Sequence, residues 1–328
     1  MLICRTPFRI SFFGGGTDYP IWYQSNKGQV ISTTINKYSY INARWLPPFF
    51  DYKYRIRYFK QEYATMLDDI HHPSVRESIR YLCVNGGLDL VHNADLPAQS
   101  GLGSSSTFTV GMLHSLYTLK NYMPTKRELA LEAIHVEQNI IGEFVGSQDQ
   151  ASAAFGGLNH IKFNSLQSID VDPVIISKER SKMLEENLLL CFTGFARTAS
   201  TIADHQIKST KHKYNELNSI NQLTEHALSI LTNEKVSIDE FGSLLDEQWK
   251  IKRSLTKFIS NKRIDHMYDA GLASGALGGK LLGAGGGGFM LFYAPKERHK
   301  AIKKSLDEKM FVPFRFESTG SKIVYFTH

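Results

Sequence analysis

The chain has 328 residues, 42% of them hydrophobic and 21% charged, a balance typical of a folded globular protein long enough for two domains. Its net charge is only +6 and its basic residues form no stripe, so we expect no nucleic-acid partner. No apolar run approaches the roughly 18 residues of a membrane span, and the N-terminus lacks a signal-peptide pattern. Three widely separated cysteines indicate reduced thiols, so we predict a cytoplasmic protein without disulfides or a zinc site.

The first part of the chain is predicted to be rich in strands, because β-branched and aromatic residues recur there in short runs. Pro7 is expected to interrupt the first run, and the three glycines at 14–16 are expected to form a tight turn. A helix is predicted over residues 74–84. The predicted strands cover residues 2–5, 9–13, 29–34, 38–45, 54–58 and 88–91.

A loop of glycine and serine directly precedes an amphipathic segment at 108–119. A turn that opens a helix presents free backbone N–H groups and the positive end of the helix dipole, which attract anions. The loop has neither the Lys-Ser or Lys-Thr pair of a Walker A sequence nor the third glycine of a dinucleotide fingerprint. We predict a site for the phosphates of a nucleoside triphosphate, with a merely flexible loop as the alternative. The loop residues concerned are Gly101, Gly103, Ser104, Ser105 and Ser106.

A capping box at Thr125 and Glu128 predicts that a second helix begins there. Glu137 falls on the apolar stripe of that helix, where a carboxylate is costly unless it is paired or bound to a metal. A metal ligand, a structural ion pair and a helix end that turns into solvent all remain open on this argument. Residues 142–157 are predicted to form a loop rich in small and polar residues, with Asp149 between two glutamines.

The second half of the chain is predicted to contain more helix and fewer strands than the first. Strands are predicted over 159–163 and 188–193, mostly helix over 198–274, and a glycine-rich turn over 280–288 before a strand at 289–293. Strands followed by helices and strands again favour the α+β class over a doubly wound sheet. The domain boundary is expected within 165–187, which divides the chain into residues 1–175 and 176–328.

Three motifs in this chain resemble, in the same order, those of the GHMP kinase superfamily, which includes galactokinase, homoserine kinase, mevalonate kinase and phosphomevalonate kinase. They occupy residues 6–19, 101–106 and 282–288. The resemblance implies an N-terminal domain like domain 2 of ribosomal protein S5 and a ferredoxin-like C-terminal domain, with ATP and acceptor bound in the cleft between them. It also implies transfer of the γ-phosphoryl group of ATP to the hydroxyl of a small molecule.

The same resemblance assigns roles to single residues. Asp149 matches the catalytic base of galactokinase-like members, and Arg9 matches the basic residue beside it. Ser105 and Glu137 would bind Mg²⁺, while the glycines and serines of the 101–106 loop would contact the phosphates of ATP. The residues expected to contact the acceptor are Asp18, Gly15, Gly16, Gly286 and Gly287.

The Gly-Gly-Gly-Thr-Asp form at 14–18 resembles the D-glycero-D-manno-heptose 7-phosphate kinases and related fucokinase-type domains more than the galactokinases. This implies phosphorylation of the anomeric hydroxyl of a phosphorylated sugar, for GDP-heptose and surface polysaccharide synthesis. A 7-phosphate needs cationic partners, and the candidates, in falling order, are Arg197, Lys37 and Arg44. A kinase for another sugar and a non-catalytic sugar sensor remain alternatives, and the oligomeric state stays open, with a homodimer as one alternative.

Overall fold

The computed structural model describes residues 1–164, 168–195, 199–210 and 212–327. Within these ranges the chain forms a nine-stranded sheet and a four-stranded sheet packed with helices, which confirms the predicted α+β class. No helix of this part of the chain is both long enough and apolar enough to cross a membrane.

The strands are β1 (Leu2–Phe13), β2 (Gly28–Trp45), β3 (Tyr54–Arg57), β4 (Gln61–Ala64), β5 (Leu88–Ala94), β6 (Asn159–Phe163), β7 (Ile169–Pro173), β8 (Leu188–Phe192), β9 (Gly278–Leu281), β10 (Phe289–Tyr293), β11 (Phe311–Val312), β12 (Phe316–Glu317) and β13 (Lys322–Phe326). The helices are α1 (Pro20–Tyr23), α2 (Pro73–Tyr81), α3 (Ser104–Leu119), α4 (Lys126–His135), α5 (Gln148–Phe155), α6 (Lys178–Glu186), α7 (Ala199–Thr210), α8 (Tyr214–Thr232), α9 (Asp239–Leu255), α10 (Lys262–Ala273) and α11 (Lys296–Ser305).

The long strand β2 organises the larger sheet, because it pairs antiparallel with β1, β5, β6 and β12. The smaller sheet has the order β11-β8-β10-β9 and is antiparallel. Strands β12 and β13 come from the end of the chain but pair with β2 and β1. The division into residues 1–175 and 176–328 stays a prediction, and these two strands cross it.

Several of the predicted boundaries of strands and loops are wrong, and each error has a structural reason. Pro7 does not break β1, because it lies where the pairing of β1 with β2 shifts register, a position at which a strand tolerates a residue without an N–H. The separate strands expected over 29–34 and 38–45 are one strand, β2. The predicted loop at 142–157 contains helix α5, whose small buried side chains pack closely against α3 and α4. Strand β7 and helix α6 were not predicted.

Polar side chains from the second half of the chain form hydrogen bonds with the backbone at the C-terminal end of β1. Lys280, fully buried in β9, donates hydrogen bonds of 2.8 Å to the carbonyl oxygens of Ser11 and Phe12. Gln248 on α9 donates to Phe12 O at 2.7 Å and accepts from Gly14 N at 2.9 Å. Burial lowers the pKa of Lys280 well below its usual value. These contacts hold the glycine turn at 14–16 against the second half of the chain, beside the cleft.

Candidate active site

The glycine-serine loop leads into the N-terminus of α3, as the sequence predicts. Gly103 precedes the helix with φ +78°, a left-handed conformation that favours glycine, and no side chain caps the first turn. The first N–H groups of this 16-residue helix therefore face the cavity between the two glycine-rich segments. The cavity wall includes Gly101, Gly103 and all three serines, Ser104, Ser105 and Ser106.

The two glycine-rich segments pack directly on each other. A Cβ on Gly101 would lie 2.4 Å from the carbonyl oxygen of Leu282, and a Cβ on Gly283 would lie 2.6 Å from Gly101 Cα. Such distances leave no room for side chains. Both glycines are thus required for the close approach that forms this wall of the cavity.

Arg9 and Asp149 form a bidentate ion pair on the cavity wall, although 140 residues separate them in the sequence. Arg9 donates from Nε to Oδ1 at 2.7 Å and from Nη2 to Oδ2 at 2.8 Å, and from Nη1 to the carbonyl oxygen of Gly101 at 2.7 Å. Arg9 is buried, while the Asp149 side chain keeps 24% of its surface exposed. The guanidinium is thus fixed in position and the carboxylate stays accessible to a ligand.

The first turn of α5 directs three consecutive side chains toward three different groups of the site. Gln148 Nε2 donates to Asp18 Oδ2 at 2.8 Å, Asp149 accepts from Arg9, and Gln150 Nε2 donates to Glu137 Oε2. In the sequence the two glutamines stand out only as neighbours of Asp149. Their roles depend on the helical spread of successive side chains by about 100°, which a segment taken for a loop did not suggest.

Glu137 is fully buried in a π-helical turn, Val136–Ile141, that continues α4. Ser106 Oγ donates to Glu137 Oε2 at 2.8 Å, whereas Oε1 has no hydrogen-bond partner among the described residues. Burial raises the pKa of this carboxyl from 4.5 to about 7. An unpartnered buried carboxylate oxygen indicates a missing cation or water.

The donor set around Glu137 fits a magnesium ion that also binds ligand phosphates. Mg²⁺ prefers one or two carboxylates together with phosphates and water. The described part of the chain has no cluster of three or more His, Cys, Asp or Glu suited to a metal held by protein alone. The structure puts Ser106, rather than Ser105, beside the carboxylate, because Ser106 faces the protein interior and Ser105 is exposed.

Asp18 is buried and lines the same cavity as the serines of α3. It accepts hydrogen bonds from Gly16 N at 2.9 Å and from Gln148, and burial raises its pKa above the usual 3.8. A Cβ on Gly146 would lie 1.9 Å from Asp18 Oδ2, so only glycine fits there. The turn glycines Gly15 and Gly16 line the cavity too, and Gly16 contacts Asp18 directly.

Lys252 also lines the cavity, although it is not among the residues predicted from the sequence. It lies on α9, is 5% exposed, and donates from Nζ to the carbonyl oxygen of Gly283 at 2.8 Å. Burial lowers its pKa from 10.5 to about 8, while the nearby Asp18 carboxylate opposes that shift. The signal was present, because Lys252 continues the buried stripe of Leu245, Gln248 and Trp249 at helical spacing. A charged residue on the apolar stripe of a helix is the same signal that marks Glu137.

Four predicted acceptor residues are not brought to the cavity by the described structure. Gly286 and Gly287 are buried behind it, where a Cβ on Gly287 would lie 2.8 Å from Phe195. Lys37 lies on β2 outside the cavity lining, and Arg44 pairs with Asp89 at 2.9 Å on the larger sheet. Arg197 lies outside the described residues.

Two family models match the chain. The model described as "GHMP kinases N terminal domain" matches residues 69–157, and "GHMP kinases C terminal" matches 233–312. Together they span roughly half of the chain, in the order and in the halves that the sequence motifs predict.

The chain is also similar to characterised proteins. It is 29% identical to a D-glycero-alpha-D-manno-heptose 7-phosphate kinase of Campylobacter jejuni, over 97% of each chain. It is 32% identical to the bifunctional fucokinase/GDP-fucose pyrophosphorylase of Arabidopsis thaliana, over 68% of this chain and 21% of that protein. The crystal structure of a D-glycero-D-manno-heptose 1-phosphate kinase from Bacteroides thetaiotaomicron has the same fold, with a TM-score of 0.82, 22% identity and complete coverage of both chains.

Proposed function

The chain belongs to the GHMP kinase family, and on that premise we propose that it phosphorylates the anomeric hydroxyl of D-glycero-D-manno-heptose 7-phosphate with ATP, giving the 1,7-bisphosphate. It is an ATP-dependent phosphotransferase and a sugar kinase of this family. The finer assignment is supported by the relative from Campylobacter jejuni, which is similar over nearly its whole length. Supply of GDP-heptose for surface polysaccharide is the metabolic role that we propose with it.

One observation carries the mechanism: the Arg9–Asp149 pair is open to the cavity beside the uncapped N-terminus of α3. Phosphoryl transfer needs positioning and charge neutralisation more than covalent participation of the enzyme. The helix N-terminus would hold the phosphates of ATP, and Arg9 orients the carboxylate through two hydrogen bonds. Asp149 would then accept the proton of the acceptor hydroxyl as that oxygen attacks the γ-phosphorus.

Glu137 and Ser106, with Ser105 exposed beside them, are the residues that we propose for Mg²⁺. When bound, Mg²⁺ would neutralise the charge on the phosphate oxygens. Gln150 holds the Glu137 carboxylate in place by donating to Oε2, which leaves Oε1 available as a ligand. The orphaned oxygen is the observation that favours this assignment over a purely structural carboxyl.

We propose that the acceptor binds in the cavity beside Asp18. The Asp18 carboxylate is fixed by Gly16 N and Gln148, and a fixed buried carboxylate is a strong acceptor for sugar hydroxyls. For the 7-phosphate, Arg197 remains our candidate, whereas the position of Lys37 and the Asp89 pairing of Arg44 argue against those two. Arg197→Ala should raise the KM for the phosphorylated acceptor far more than the KM for ATP, and equal effects would contradict the assignment.

The proposal is tested by an ADP-release assay with ATP and Mg²⁺ over a panel of acceptors. The panel contains D-glycero-D-manno-heptose 7-phosphate, the unphosphorylated heptose, fucose, galactose, mannose and mevalonate. We expect kcat/KM for heptose 7-phosphate to exceed that of every other compound. Turnover of a neutral sugar alone would keep the kinase mechanism and refute the acceptor. Lack of turnover with all six would favour the sugar-sensor alternative.

A further inference from the structure

The turn at 14–16 borders a small polar space that the proposed roles leave unused. A Cβ added to Gly15 would lie 3.4 Å from Lys252 Nζ, 3.8 Å from Gln148 Nε2 and 3.8 Å from Ser11 Oγ. These are ordinary van der Waals distances, so the space above Gly15 admits one atom or methyl-sized group in contact with polar atoms. It belongs to the cavity that also contains Asp149.

Three groups around this space have unused hydrogen-bonding capacity. Ser11 Oγ is buried and has no hydrogen-bond partner among the described residues. Gln148 Oε1 is likewise unpartnered, while Nε2 of the same side chain, the atom near Gly15, donates to Asp18. The Lys252 ammonium carries three donors, and in the described part of the chain its one acceptor is Gly283 O. Buried polar groups are nearly always satisfied by protein, water or a ligand. Lys252 and Gln148 line the cavity together with Asp149, and the spare donors of the Lys252 ammonium favour a ligand oxygen beside it.

We propose that the space above Gly15 is a subsite for the reacting oxygen of the acceptor sugar, and that Lys252 is a catalytic residue that binds this oxygen through its ammonium group. The inference rests on the proposed sugar kinase activity and deepens it. Ser11 Oγ completes the subsite as a second hydrogen-bonding group. Lys252 thereby joins Arg9 as a second buried cation at the place of reaction.

The chemistry balances without a further reactant. The acceptor O–H bond breaks and its proton passes to a carboxylate oxygen of Asp149, while the new O–P bond forms. The bond between the γ-phosphorus and its bridging oxygen breaks, and ADP leaves with that electron pair. Negative charge develops on the acceptor oxygen during proton transfer, and a fixed ammonium within hydrogen-bond reach stabilises that charge.

The charged groups that face Lys252 come from several elements: Arg9 in β1, Asp18 after β1, Asp149 on α5 and Lys280 in β9. The two carboxylates favour the ammonium form, and the two cations and burial disfavour it. The pKa of about 8 therefore keeps Lys252 mainly charged at pH 7 and neutral above pH 9. Because kcat/KM reports the free enzyme, we expect kcat/KM for the acceptor to fall as pH rises through about 8.

Four variants test the subsite. Lys252→Met removes the charge at similar size, Gly15→Ala puts a methyl group into the space, and Ser11→Ala removes the orphaned hydroxyl. The φ of Gly15 lies outside the left-handed region, so alanine is compatible with the backbone there. The matched control is Lys250→Met, because Lys250 lies on the same helix but is exposed and pairs with Asp246 at the surface.

The assay measures kcat and KM for the acceptor that the wild-type protein uses best, with binding of the ATP analogue AMPPNP measured calorimetrically. By analogy with the loss of one oxyanion donor, Lys252→Met should lower kcat by about 100-fold or more. Gly15→Ala should lower acceptor kcat/KM at least about tenfold, and Ser11→Ala about fivefold. All four variants should bind AMPPNP within about twofold of wild type, and Lys250→Met should match wild type throughout.

The outcomes separate the two proposals. A wild-type protein that phosphorylates no sugar refutes the proposed function. An active wild-type protein whose Lys252→Met variant keeps wild-type kcat, or keeps the same fall in kcat/KM above pH 8, overturns the role of Lys252. If Lys252→Met does not fold, the test rests on Gly15→Ala and Ser11→Ala. The subsite is overturned if both variants have melting temperatures near that of wild type and an unchanged kcat/KM for the acceptor. If Ser11 has only a structural role, Ser11→Ala should show this unchanged kcat/KM and melting temperature, because removing an unsatisfied buried hydroxyl does not destabilise the fold.

Discussion

Replacing Glu137 by glutamine should stabilise the ligand-free protein while abolishing its metal-dependent activity. Glutamine has nearly the same shape and can still accept the hydrogen bonds from Ser106 and Gln150. It differs in carrying no charge at any pH. The substitution therefore isolates the cost of an ionised carboxylate in a fully buried position.

The magnitude follows from the pKa of Glu137, which burial raises from 4.5 to about 7. Between these pH values the folded state binds a proton that the unfolded state has lost, so stability falls as pH rises through this window. At about 1.4 kcal/mol per pKa unit, the ionised carboxylate costs about 3 kcal/mol above pH 7 and well under 1 kcal/mol at pH 4.5. The Glu137→Gln variant avoids this cost.

Urea unfolding of both proteins at pH 5 and pH 8, without nucleotide or metal, measures the difference. We expect Glu137→Gln to exceed wild type by about 3 kcal/mol at pH 8 and by less than about 1 kcal/mol at pH 5. Added Mg²⁺ with AMPPNP should stabilise wild type more than the variant. A stability difference independent of pH, or a variant less stable than wild type at pH 8, would refute the assignment of Glu137 as a buried, uncompensated carboxylate.

Three further predictions concern the neighbouring residues. Asp149→Asn should lower kcat about 100- to 10,000-fold with AMPPNP affinity nearly unchanged, and wild-type turnover would exclude a base at this position. Gly103→Ala should lower the melting temperature by a few degrees, because alanine is strained at a φ of +78°. It should also reduce turnover, because the new Cβ would lie 3.3 Å from Asp149 Oδ2. An unchanged melting temperature would contradict this expectation. In steady-state assays, Arg44→Ala and Lys37→Ala should each have an acceptor KM within about twofold of the wild-type value. A large increase in KM would indicate that the substituted residue does bind the phosphate of the acceptor.

Much of the site could be predicted from local sequence, because the relevant information lies within one or two turns of chain. Glycines with positive φ, such as Gly103, and a capping residue, such as Thr125, have conformational effects that their own sequence positions reveal. Glu137 stood out because a helix has a fixed period, and a charge on its apolar stripe breaks the pattern. Lys252 obeys the same rule on α9, so it too was accessible to sequence reasoning.

Some choices needed the tertiary structure. Ser106 rather than Ser105 meets Glu137 because of the direction in which α3 packs, and Gly286 and Gly287 are buried behind the cavity although their neighbour Gly283 lines it. The first turn of α5 reaches Asp18, Arg9 and Glu137 only because a helix, and not a loop, begins at Gln148.

The sequence by itself determined the class of fold and the glycine-serine loop at a helix start, and its resemblance to the GHMP kinases singled out Glu137, Asp149 and Arg9 as candidate site residues. Tertiary structure alone decided which distant segments meet, such as Arg9 with Asp149 across 140 residues and Lys252 with the turn at 14–16. The reason is physical. Backbone conformation and amphipathic period are properties of neighbouring residues, whereas the geometry of a cleft depends on how whole elements pack.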